Sequence, residues 1–136
     1  MRTARFPLIL RRLLVVDAIT CLAMGAALIF ATSPLAELTR LPPDLLLAAG
    51  LVLLPIAGFM LVLARRLSPS PAGVRVVIAG NVLWVLASVL LPLSPQIDPS
   101  GIGLLGLMAQ AAGVAMLAAL EQYALGWTNT AAARTA

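Results

Sequence analysis

Five polar side chains interrupt long apolar stretches of the chain: Asp17, Asn81, Gln110, Glu121 and Gln122. A carboxyl held inside a membrane span can take up and release a proton or bind a ligand, and polar side chains can also hydrogen-bond across helices to fix register and packing. An aspartate at a helix centre carries an insertion cost of roughly +2.5 to +3.5 kcal/mol, so such groups face other helices or a wet cavity and mark functional candidates. Cys21 is the sole thiol, and the chain has no histidine. An intrachain disulfide, a CxxC pair, a thiolate cage, a conventional zinc site and a bis-His haem are thereby excluded within one chain. Cys21 reads as a small buried hydrophobe.

Depth counting brings three of the five together. Asp17 lies five residues in from Arg12, Asn81 six in from Arg75, and Glu121 six in from Trp127, a plausible interfacial anchor. At 1.5 Å per residue all three sit ~8 to 9 Å inward from their markers, at one level. Asp17, Asn81, Glu121 and the adjacent Gln122 therefore form a candidate intramembrane polar cluster, with Arg65 and Arg66 as candidate charge partners. An Arg partner would favour ionised carboxyls; Asp17 and Glu121 meeting in a dry site would instead favour sharing a proton. Gln110 lies nearer the middle of the membrane. On its span Gly103, Gly106, Gln110 and Gly113 recur in steps of three and four, and this small-residue stripe is expected to be a helix-packing face that carries Glu121 with it.

The elements that must position these groups follow from composition. Of 136 residues 62% are hydrophobic and 10% charged, whereas a soluble domain is roughly a quarter charged. Too few polar side chains remain to cover a surface in water, so a bilayer is the expected solvent. The fold class expected is all-α: a single polytopic domain of four transmembrane helices in an up-down bundle. The spans run at about 8–32, 43–65, 71–92 and 99–127, each long enough to cross ~30 Å of hydrocarbon. Ser70-Pro71 and Asp98-Pro99 supply an N-cap followed by a proline at the first helical position, and Pro43 with Asp44 opens the second span. Residues 34–40 form a short surface helix and 128–136 a frayed tail. Pro55 makes a kink in the second span.

All nine basic residues are arginines, and they sit at the ends of apolar segments. That placement excludes the continuous basic face that a nucleic-acid binder needs. Arg2, Arg5, Arg11, Arg12, Arg65, Arg66, Arg75 and Arg134 fall on one side and Arg40 on the other, which puts both termini in the cytoplasm. The first span is longer than a signal-peptide core and lacks a small-x-small cleavage site, so it is expected to remain.

Taken together, "RRLLVVDAITCLAMGAALI", "LLPIAGFM", "GNVLWVLASVLL" and "AQAAGVAMLAALEQYALG" resemble a group of small, uncharacterised bacterial four-helix membrane proteins. The comparable landmarks are an acid in the first helix (Asp17), a proline in the second (Pro55), Asn-x-x-Trp in the third (Asn81, Trp84) and a Glu-Gln ending to the fourth (Glu121, Gln122). The resemblance implies the four-helix fold and a bacterial inner membrane, and it transfers no activity.

No GxSxG, HExxH or phosphate loop is present, so neither catalysis nor a cofactor is expected. Three function classes follow. One is a noncatalytic packing or accessory component whose partners are the lipid bilayer and either itself or another membrane protein. Another is a proton-linked carrier or exporter that uses Asp17 or Glu121. Such a carrier is similar to the small multidrug resistance exporters in length and in its first-helix acid, but departs from them in its strong arginine bias. The last is a protein holding a lipid or quinone near Trp84 and Asn81.

Overall fold

Local punctuation sets the helices of the computed structural model, which describes residues 5–66 and 70–133. They are α1 (Arg5–Phe30), α2 (Thr32–Thr39), α3 (Pro43–Arg65), α4 (Pro71–Leu90), continued by a 3-10 turn (Leu91–Leu93), and α5 (Gly101–Ala133). Among the described residues there is no strand. Four helices are long and apolar enough to cross a membrane. Only 17 to 28% of their most apolar windows is buried inside the protein, so most of that apolar surface needs hydrocarbon around it.

The Ser70 hydroxyl accepts from the Gly73 amide at 3.0 Å with Pro71 behind it, and α4 starts there. The start of α5 differs from the expected one. Ser100, two residues after Asp98, is the capping residue: its hydroxyl accepts from the Gly103 amide at 3.0 Å and donates to the Leu38 carbonyl at 2.7 Å, while its own amide donates to the Thr39 carbonyl at 2.8 Å. One serine thus begins α5 and satisfies carbonyls at the end of α2, which holds the helix start at Gly101 instead of residue 99. Asp98 is left to pair with Arg40 at 3.6 Å, a weak contact because both side chains are largely exposed. Arg40 itself ends α2 in the left-handed conformation (φ 57°).

The other boundaries also move. α1 ends at Phe30 and α2 takes up Thr32 and Ser33, because Ala31 breaks the helix. α5 continues to Ala133, so residues 128–133 are helical where fraying was expected. Arg2 and Arg134, counted in the charge balance, lie outside the described residues, as do residues 135–136 of the tail. α3 runs through Pro55 as one helix.

Contacts give the arrangement. Arg11 meets Ala64, and Gly25 meets Gly50, so α1 and α3 run antiparallel; Asn81 meets Glu121 and Ser88 meets Gln110, so α4 and α5 do too. The two hairpins join mainly along α1 and α5, and α3 and α4 touch little. The glycine face expected on α5 is not the place of closest approach between spans. A Cβ on Gly106 or Gly113 would meet nothing within 4 Å, whereas one on Gly50 would lie 3.0 Å from the Gly25 carbonyl oxygen and 2.9 Å from Ile29. Gly103 does pack tightly, but against the Thr39 carbonyl of α2. The face of α5 that is buried carries Ala111, Ala118, Glu121, Ala124 and Leu125.

Candidate functional site

Asp17, Asn81 and Glu121 project from α1, α4 and α5 into one buried cluster. Asp17 is 1% exposed, Asn81 6% and Glu121 0%, and both acids rank among the most deeply buried large side chains. Acids almost never reach such burial without partners, so the bonds around them carry the information. The Asn81 amide nitrogen donates to Asp17 Oδ2 at 2.7 Å and lies 3.4 Å from Glu121 Oε2. The Cys21 thiol, one helical turn beyond Asp17, lies 3.8 Å from Oδ1. Glu121 Oε1 is buried and accepts no hydrogen bond from the described residues.

The expected charge partners are elsewhere. Arg65 and Arg66 are exposed and form no ion pair with either acid. Arg65 is the last residue of α3 and Arg66 its cap, and both side chains stay at the surface. The arginine that reaches inward is Arg11, whose Nε donates to the Ala64 carbonyl at 2.8 Å and so satisfies a carbonyl in the last turn of α3. Gln122 is exposed as well. One residue past Glu121 means about 100° around the helix, and it lines a shallow groove on the far side of the α4/α5 hairpin.

Gln110 belongs to a second polar group. Its side-chain oxygen accepts from the Trp84 indole at 2.7 Å, its nitrogen donates to the Ser88 hydroxyl at 2.7 Å, and Ser88 donates back to the Trp84 carbonyl at 2.8 Å. This closed circuit clamps α4 to α5 and fixes the indole ring.

Between the two polar groups lies a cavity of about 720 Å³, within the range of small-molecule sites. Asp17 and Asn81 lie in its wall, with Thr20, Cys21, Trp84 and Gln110 supplying the remaining polar atoms among aliphatic and aromatic neighbours such as Met24, Leu53 and Phe59. On the side of the chain termini the cluster is sealed by a packed apolar core that includes Leu10, Leu14, Met60, Leu63, Val74 and Leu125. Toward α3 and α4 the cavity is open, since these helices barely meet and the wall residues Phe59 and Val76 are exposed. Gly113 and Gly80 also face it, and neither would clash if given a Cβ.

Sequence reasoning singled out the acids and Asn81 and offered a lipid or quinone held near Trp84 and Asn81, both of which line the cavity, but it could not give the cavity itself, because a void arises from how faces fail to meet and no single span encodes that. Gly113, expected in a packing face, lines the cavity instead. Among the described residues no group of acids, cysteines or histidines forms a metal site. No family model, curated protein or solved structure matches the chain.

Proposed function

We propose that this small membrane protein binds a lipophilic molecule that enters from the bilayer between α3 and α4. The observation that carries the reading is the apolar cavity of about 720 Å³ with Asp17 and Asn81 in its wall. The space is lined mainly by apolar side chains and opens toward the bilayer between α3 and α4, so a guest that reaches it from the hydrocarbon is the kind its wall fits. The eight-to-one arginine distribution supports cytoplasmic termini, and therefore a site sealed on the cytoplasmic side and open to the membrane.

Trp84 reports on the site. In protein carrying Trp127→Phe, so that Trp84 is the remaining tryptophan, a brominated alkane added to lipid nanodiscs is expected to quench the fluorescence in a saturable manner. Gly113→Leu, which fills the cavity from the wall, is expected to remove the saturable component. Quenching that rises linearly with alkane and is indifferent to Gly113→Leu would refute a binding role and favour a packing role instead.

A further inference from the structure

The cluster end of the cavity offers hydrogen-bond acceptors and almost no donors. The Asn81 carboxamide is occupied on one side only: its nitrogen is turned to the two carboxyls, 2.7 Å from Asp17 Oδ2 and 3.4 Å from Glu121 Oε2. A carboxamide is planar and carries its oxygen on the other side of the same carbon, so Asn81 Oδ1 is turned away from both acids. That oxygen accepts no hydrogen bond, and it is not sealed: among the described residues the only side-chain oxygen or nitrogen both closed off and unpartnered is Glu121 Oε1. The 6% of Asn81 that stays open therefore includes Oδ1, and the open space beside Asn81 is the cavity whose wall it forms. Thr20 adds a second acceptor of the same kind, because its hydroxyl hydrogen is taken by the Val16 and Asp17 carbonyls at 2.9 and 2.8 Å and only its oxygen is left over. The indole N–H of Trp84 is already held by Gln110. Charge is missing from this surface: Asp17 is 1% exposed, Glu121 is not part of the wall, and no arginine lines the cavity.

We propose that the guest is an uncharged lipophile with a hydroxyl head, a long-chain alcohol or a phenol, seated with its O–H donating to Asn81 Oδ1. Its apolar body lies among Met24, Leu53 and Phe59 and leaves through the α3/α4 opening. An acceptor facing a dry apolar space carries a desolvation cost that a donor on the guest removes, and the low dielectric that makes the free oxygen costly also strengthens the bond that satisfies it. A plain hydrocarbon fills the volume and leaves Oδ1 unpaired. An ether or ester head brings further acceptors to an end that already has two. An anionic head meets no arginine, and a cationic one meets no open carboxyl. The two acids act on the guest only through Asn81: by holding its nitrogen they fix which way its oxygen faces.

This inference deepens the binding role proposed above and rests on it, and the test separates the two. In the Trp127→Phe protein, the bromoalkane bound at Trp84 is displaced by a 1-alkanol and by its methyl ether, compared at equal mole fraction in the bilayer. The alkanol is expected to be the stronger competitor by about threefold or more. In Asn81→Val the alkanol-to-ether ratio, read within the variant, is expected to fall to about one; because it is a ratio, a general loss of affinity does not imitate it. Thr20→Val removes the second acceptor and is expected to lower the ratio by less; it alters an exposed side chain, so it keeps the test open where Asn81→Val fails to fold. A wild-type ratio near one, or a ratio that disappears in Thr20→Val and survives in Asn81→Val, would overturn the inference while leaving lipophile binding intact. Failure of the bromoalkane to bind would instead remove the binding role, and this inference with it.

Discussion

Asn81 has one side-chain nitrogen and two carboxyls to serve, and its distances to them are unequal, 2.7 Å to Asp17 and 3.4 Å to Glu121. The first is a good hydrogen bond and the second lies at the limit of one, so the two contacts should differ in energy. Replacing Asn81 with valine leaves both acids without their shared donor; polar contacts between membrane helices average about 0.6 kcal/mol and reach about 1.7. Asn81→Val is expected to destabilise the fold by about 1 to 2 kcal/mol in reversible denaturation from mixed micelles. In double-mutant cycles the coupling of Asn81 to Asp17 should reach about 1 kcal/mol and that to Glu121 stay below about 0.5. Equal couplings, or a larger one with Glu121, would mean that the observed geometry does not describe the bonded state. These three residues share a level that counting from the arginines, or for Glu121 from Trp127, makes visible in the sequence, because rise per residue is fixed. Partnership was less legible: Arg65 and Arg66 are close in depth but turned outward, and rotation about a helix axis is hard to read in a span that is apolar nearly all round.

At the scale of elements, small residues mark where helices are able to approach, and packing decides where they do. The Gly103, Gly106, Gly113 stripe is conspicuous by its spacing, yet only Gly103 is closely packed, under the end of α2. The close contact between spans is Gly25 of α1 against Gly50 of α3, each the only glycine within a short run of alanine and bulkier residues. A pair of that kind gives no periodic signal; the alanines around it, Ala26, Ala27, Ala48 and Ala49, were the available hint. Helix starts were easier, since Ser70-Pro71 caps through its own side chain. Ser100 was missed because its role depends on α2 being alongside. The contrast between glycines is testable with alanine. Gly50→Ala places a methyl against the Gly25 backbone and is expected to destabilise by about 1 to 3 kcal/mol. Gly106→Ala and Gly113→Ala meet open space and should be neutral or up to about 1 kcal/mol stabilising through helix propensity. The reverse ranking by thermal unfolding in detergent would move the packing seam back to the α5 stripe.

The whole molecule is two hairpins joined along one seam. α1 with α3, and α4 with α5, are each paired along their length, while α3 and α4 are neighbours in sequence that hardly touch. Apart from the apolar core at the terminal end, where Leu63 of α3 lies against Gly73 of α4, the halves are attached through the α1/α5 contact, the Asp17–Asn81 hydrogen bond, and the Thr39–Gly103 and Ser100–Leu38 contacts at the opposite end. Membrane helices inserted separately can associate afterwards through such contacts, because each is already stable across the bilayer. Cutting the chain between Arg66 and Ser70 and co-expressing the two pieces should yield a complex that survives mild detergent extraction, with a tag on one half recovering the other. Asn81→Val removes the bond at the cluster, and Gly103→Leu wedges α5 from α2; together they should reduce that recovery several-fold more than either alone, since they act at opposite ends of one seam. Failure of the halves to associate would mean that the covalent link itself holds them; if instead only substitutions in the facing sides of α3 and α4 separate them, the hairpins are held by an α3/α4 contact. The cavity would then be closed to the bilayer, and the route proposed for its ligand would be lost.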